Sequence, residues 1–530
     1  MALNLKAEQK NILNVFKREE QYIIPPYQRA YSWNYDLCSI LYDDVLNAFE
    51  RKEDYFIGNI IISSDDTNKD KLMIIDGQQR LTTILLFIKV LSIFEPLNPL
   101  LSILKKENWK TGDIEDRIIS KVFETNDREE LTNILNMTEE DFTTRYNECL
   151  IKKGKNKGKF SEKNCKNIFE TNILYFYDWL KFYTSNNDDL KDFIYFFLES
   201  IYLLPIELNG KDEQESKEKA LKIFETMNNR GLSLNDTDIF KAYLYDKAER
   251  VQESDLFKSS WSELKNRCEL INIEVIDIFR YYSHIIRGRN NKTTSEINLR
   301  DFFTREDISP FKLENYTTIL NELFQIVDTL SYVKDNANKE TILAKYLQLV
   351  NIYTNQYPKI ALVVFLFLFK ENDKEENILL TFLKSLVRYA YYQGSTTRIK
   401  YEIYNIIKQI SNNQIIDDYI EDEVDIGQFK KLGGLKNGYV LLVQYLTCDK
   451  AYIHINVEKI VTQKNKKILD SSWDKVDIKS IENRLGNMIV SNSEEKKEKI
   501  DLTNFTYDEF SSNDLEKRKI LVDFFEGKIS

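Results

Sequence analysis

Asp76-Gly77-Gln78-Gln79-Arg80 stand where an apolar run, Met73 to Ile75, gives way to a helical pattern. These five residues suit anion chemistry. A strand that ends in a glycine turn and starts a helix aims several free backbone N–H groups one way. The helix start adds partial positive charge. Gly77 permits close approach because it has no Cβ. Gln78 and Gln79 can donate amide hydrogen bonds. Arg80 brings a planar, permanently charged fork suited to phosphate oxygens, and Thr82 and Thr83 add hydroxyls in the first turn. Asp76 would repel a bare phosphate, so its expected role is to hold Arg29 or Arg80, or a divalent cation. A second Gln-Arg step, Gln28-Arg29, lies beside Tyr27, Tyr31 and Trp33. The two steps together could line a pocket for a nucleotide base and its phosphates. A capped turn with an outward arginine is the other reading, and spacing alone does not separate the two.

Several elements must position these residues. Pro25-Pro26 fix a bend ahead of Gln28, since proline continues neither a ladder nor a helix interior. Asn34 is placed to cap an amphipathic helix reaching about Phe49. "YFIGNIIIS" (55–63) and "KLMIID" (71–76) read as strands joined by a polar turn. The pattern then turns helical from about 95 to 220, broken by the Lys/Gly run at 152–159. "SIYLLPIEL" (200–208) reads as a further strand. Residues 218–248 read as helix, turn, helix, broken at Asn229-Arg230-Gly231, with Asn235 or Asp236 as the next cap. Residues 251–425 are helical in pattern. A third segment begins near the glycine cluster after Lys431. The expected organisation is 1–250, a helical connecting region over 251–425, and 426–530. The fold class is α+β and predominantly helical.

Composition bounds the function. A chain of 530 residues needs more than one core. Net charge is −11, which suits ordinary solubility better than a nucleic-acid-coated surface. DNA contact would then be confined to local patches such as Lys152–Lys159, Arg287–Lys292 and Lys464–Lys467. The five cysteines are scattered and form no CxxC pair. Neither a zinc cluster nor a disulfide framework is expected, and a reducing cytoplasm is the natural compartment. The N-terminal residues lack the apolar core of a signal peptide. "IALVVFLFLF" (360–369) is too short to span a bilayer and reads as a buried helix. With only His284 and His454 present, far apart in sequence, no histidine metal site is expected.

"IPPYQRAYSW", "YFIGNIII", "IIDGQQRLTTI" and "FETMNNRGLSLNDTDIFKAYL" occur in the order found in the N-terminal domain of GmrSD-type restriction enzymes. The resemblance covers about residues 8 to 248. It implies a core like ParB and sulfiredoxin, and a DGQQR loop that binds and hydrolyses a nucleoside triphosphate with Mg²⁺. Relatives include modification-dependent nucleases and phosphorothioate-sensing antiphage proteins. Carried over by position, Asp76, Gln79 and Arg80 become catalytic candidates. Gln28, Arg29, Gly77 and Gln78, with Thr82 and Thr83, become nucleotide-binding candidates. Asn228, Asn229, Arg230, Asp236 and Asp238 match a second motif, and Lys241 follows on the same helix. The partners implied are the nucleotide, DNA or a phage-derived product, and a separate effector protein; self-association stays open.

The C-terminal "YIHINVEKIVTQKN", "SSWDKV" and "ENRLGNMIVSN" resemble an HNH-like ββα-metal nuclease pattern: EHILPQ, then Trp, then GNLTLL and Asn. Aligning Glu458 with the pattern's first residue puts Lys459 where the metal-activating histidine belongs, and Thr462 where proline belongs. A charged ammonium accepts no proton from water and ligates no metal. His454 lies an odd five residues before Lys459, which on a strand is the opposite face, short of a bulge or register shift. The resemblance therefore implies a nuclease-shaped domain with a damaged centre, in which Asn487 and Asn492 keep structural or binding roles. Three functions compete: a nucleoside triphosphatase of an antiphage system, an active nuclease using His454, and a non-catalytic, nucleotide-gated interaction protein.

Overall fold

The computed structural model describes residues 5–17, 19–65, 71–107, 112–152, 157–210, 215, 219, 236–292, 298–369, 375–392, 398–412, 424–430, 432–448, 451–452, 455–492 and 502–529. The chain divides into two compact units, Met1–Lys258 and Ser259–Ser530. Helices predominate in both, and the class is α+β as expected.

The first unit is built on a mixed sheet. Its strands are β1 (Leu5–Ala7), β2 (Lys10–Asn11), β3 (Gln21–Ile24), β4 (Tyr55–Asp65), β5 (Lys71–Asp76), β8 (Ile118–Ser120) and β9 (Ile201–Gly210). A separate two-stranded ladder joins β6 (Lys105–Glu107) and β7 (Ile114–Asp116). The main order is β1-β9-β4-β5-β3-β8, with β2 beside β1 on the same edge of β9. Both β4–β9 and β5–β3 are parallel; β4–β5 is antiparallel. Pro205 lies inside β9 without breaking the ladder. On the β1/β2 side it falls between Ile206, which faces Ala7, and Leu203, which faces Lys10, where no ladder bond is required of it. β6, β7 and β8 depart from the helical reading of 95–220. Three residues are too few to show a period, and only pairing makes each a strand, β6 with β7 and β8 with β3.

The helix Gln78–Phe94 runs through the centre of this unit. Thirteen of its 17 residues are buried, so it is apolar all round rather than amphipathic. It packs on the helix Ile168–Asn186, with Phe87 against Phe176 at 4.9 Å between ring centres. Asn34 caps the helix Tyr35–Arg51, accepting from the Leu37 N–H, and Lys52 closes it in the left-handed region.

The second unit is helical up to Ser411 within the described residues, with Tyr357–Leu368 buried along most of its length as its apolar run requires. In its last hundred residues β10 (Ile455–Lys459) pairs antiparallel with β11 (Met488–Asn492), and the helix Tyr507–Phe525 follows. Ile460, Val461, Trp473, Ile478, Ile481 and Phe510 form a small core there. Among the described residues no helix is long and apolar enough to cross a membrane.

Candidate functional site

The polar run between β5 and its helix is built on two glycines. Gly77 takes φ +89°, and a Cβ there would lie 2.6 Å from the Ile60 side chain on β4. Its missing side chain therefore serves turn geometry and strand packing. The helix it starts has no side-chain cap. Gly58 sits at a bulge in β4 with φ +135°, and a Cβ there would lie 3.2 Å from the Arg80 guanidinium. Arg80 thus lies over Gly58 and donates from Nη1 to the Asn59 carbonyl. Burial draws its pKa below the ordinary guanidinium range, and the Asp76 carboxylate works against that shift. Asp76 therefore acts on Arg80, one of its two expected partners.

The glutamines hold backbone. Gln28 Nε2 donates to the Ile75 carbonyl at 2.9 Å. Gln78 Nε2 donates to the Arg29 carbonyl at 3.0 Å. Gln79 donates to the Ala30 carbonyl at 2.9 Å and accepts from the Ser32 N–H at 2.8 Å. All three side chains are buried. The two Gln-Arg steps therefore lie side by side, stitched together by the amides first assigned to a ligand. Thr82 and Thr83 are buried too, and the Thr83 hydroxyl bonds the Tyr31 hydroxyl at 2.7 Å. Tyr31 also accepts from Asn172 Nδ2 at 3.0 Å and stacks on Phe169. It is committed to the interior, and so is less suited to stacking on a base. Arg29 is exposed beside this turn, and Asp76 and Arg80 are half-buried.

Part of the second motif comes to the same place. Lys241 is buried, 2 % exposed, and its ammonium meets Glu124 Oε1 at 2.7 Å and the Gln28 carbonyl at 3.4 Å. Tyr27 lies against Tyr245 one turn further along that helix. Asp236 and Asp238 stand in its first turn. Asn228, Asn229 and Arg230 lie outside the described residues, as does Asn235. Sequence reasoning missed Gly58, Asn59 and Glu124. The glycine inside "YFIGN" was a signal for a bulge, but nothing in the sequence said that Arg80 would cover it.

In the second unit Lys459 Nζ pairs with Glu482 Oε2 at 3.0 Å. Glu458 accepts from the Ser491 hydroxyl at 2.8 Å. Asn487 is wholly buried; it accepts from the Val461 N–H at 2.7 Å and donates to the Val461 carbonyl at 2.9 Å. Asn492 faces Ile455 in the ladder. His454 lies outside the described residues. His284 is buried against Tyr404, and burial, then Arg287 and Arg280, pull its pKa down to about 3. It is a neutral core residue. Arg287 is also buried, its Nε donating to the Lys292 carbonyl, so it does not belong to a surface patch. Cys149 and Cys165, separated in sequence, bring their free sulfurs to 3.5 Å.

Residues 12–245 match the family model described as the GmrSD restriction endonuclease, N-terminal domain. The match spans the Gln28, Asp76–Arg80 and Lys241 segments and supports a component of a restriction or antiphage system. No curated protein matches the chain.

Proposed function

We propose that this chain is the nucleoside-triphosphate-binding and hydrolysing component of such a system, with its site at the mouth of the Gln78–Phe94 helix. One observation carries the reading. Arg80 is held half-buried over Gly58, next to Asp76, at a helix start with no side-chain cap. A guanidinium partly stripped of water gains most from an anionic partner, and an uncapped helix start is a further attraction for one. Arg29, exposed beside Arg80's turn, offers a second cation. Asp76 is the carboxylate suited to a triphosphate-bound Mg²⁺, which commonly uses one or two carboxylates with phosphate oxygens and water. Such an ion would screen phosphate charge. Gln28, Gln78 and Gln79 set the geometry rather than touch the ligand. A fluorescent-nucleotide titration with Mg²⁺, followed by phosphate release from ATP and GTP, tests the reading. Retained affinity in a folded Arg80→Ala protein overturns it.

A second reading concerns the C-terminal ββα segment, which supports an HNH-like shape without HNH catalysis. Lys459 occupies the position aligned with the activating histidine and is paired with Glu482. Metal-dependent nicking of DNA by the wild-type chain that vanishes in His454→Ala would overturn it.

A further inference from the structure

Cys149 and Cys165 are sixteen positions apart, yet their sulfurs are 3.5 Å apart. The backbone arranges this. Leu150 bridges Phe160 antiparallel, the Ile151 N–H donates to the Lys159 carbonyl, and the Ser161 N–H donates to the Cys149 carbonyl at 3.0 Å. Tyr146 and Phe160 stack across the same root at 6.2 Å. The two thiols therefore meet where Cys149–Ile151 pairs with Lys159–Ser161, Cys149 buried and Cys165 half-buried.

Glu170 completes a group of three ligand types with these sulfurs. Its carboxylate is already committed. It accepts from Arg145 Nε at 2.7 Å and Nη2 at 3.0 Å, and from the Lys166 N–H. A cation at that point would face the guanidinium and lose a bidentate pair. Metal binding is therefore the weaker use of the cluster.

We propose that Cys149 and Cys165 form a reversible redox clasp, a disulfide that locks the paired root formed by Cys149–Ile151 and Lys159–Ser161. The oxidant is a small-molecule disulfide. The more exposed Cys165, as thiolate, attacks one sulfur of the oxidant. A mixed disulfide forms and one small thiol leaves. The Cys149 thiolate then attacks Cys165 Sγ, making the protein disulfide and expelling the second small thiol. Two protein thiols and one oxidant disulfide thus become one protein disulfide and two small thiols, with two electrons passing to the oxidant. Burial pushes the Cys165 thiol up to about 12 and raises that of Cys149, which faces Glu170, Glu148 and Arg145. Closure is accordingly slow at neutral pH and faster as pH rises. The clasp would tie the helix Glu139–Cys149 to the start of Ile168–Asn186, whose Asn172 donates to Tyr31 and to the Trp33 carbonyl.

The full-length native protein is incubated with oxidised glutathione at pH 8.5, alkylated, digested and mapped by mass spectrometry. The expected product is a Cys149–Cys165 linked peptide lighter by two hydrogen atoms, reversed by dithiothreitol. Trypsin cuts within 152–159 then leave fragments joined on non-reducing gels and separated on reducing ones. Cys165→Ser should abolish the link, and Cys268→Ser should leave it. Both thiols remaining alkylatable after prolonged oxidation of folded protein, or a link to another cysteine, would overturn the proposal.

Discussion

The start of the Gln78–Phe94 helix and the end of β10 each set a cation beside amide side chains, and they treat it differently. In both places the amides are spent on backbone: Gln78 and Gln79 hold residues 29–32, and Asn487 holds Val461. At the helix start the cation is fixed by a carbonyl and a bulge, with a carboxylate acting at longer range. At the strand end it is neutralised by a direct carboxylate pair. A cation pinned by neutral groups keeps its field for a ligand; one paired at 3.0 Å has largely used it. The same residue classes can thus mark a binding site or a staple, and the immediate acceptor decides.

Four substitutions probe this contrast. Lys241→Ala removes a buried ammonium that faces Glu124, a loss worth about 3–5 kcal/mol for buried pairs. Thermal and urea unfolding should show the N-terminal unit melting far earlier, and an unchanged melting temperature would deny Lys241 its bridging role. Gln79→Ala leaves the Ala30 carbonyl and Ser32 N–H without their partner and should cost about 1–3 kcal/mol of stability. Lost nucleotide affinity at full stability would return Gln79 to the ligand. Arg80→Ala should do the reverse, weakening nucleotide binding roughly ten- to hundredfold while the melting temperature moves little. Calorimetry on the folded variant reads this directly. Lys459→Ala should be the mildest, at about 0–1 kcal/mol, because its ion pair is a third exposed. A large drop in its denaturation midpoint would show that this pair is structural after all.

Much of the scaffold was legible. Asn34 as a cap, the strands at 55, 71 and 201, and the buried run at 360 all follow from local pattern. Within the described residues the motifs also marked where the N-terminal segments meet. Their division of labour was not legible, because a glutamine that binds a ligand and one that holds a carbonyl are the same residue in a string. Whether Arg80 points outward or over Gly58 depends on the register of β4 with β9, which is set far along the chain. The contact of Cys149 with Cys165 was hidden for a related reason. Their spacing carries no signal until the paired root forms.

The burial of Gln78–Phe94 on nearly every face has a consequence for time as well as place. From Leu81 to Ser92 every side chain but Lys89 is buried, which leaves the backbone amides there little access to exchange hydrogen for deuterium. They can do so only when the surrounding unit opens as a whole. Isotope labelling along Leu85 to Leu91 would therefore clock the global unfolding of the N-terminal unit. A ligand that binds the folded unit alone, at the half-buried Arg80 turn of that same helix, should slow the clock in proportion to its occupancy.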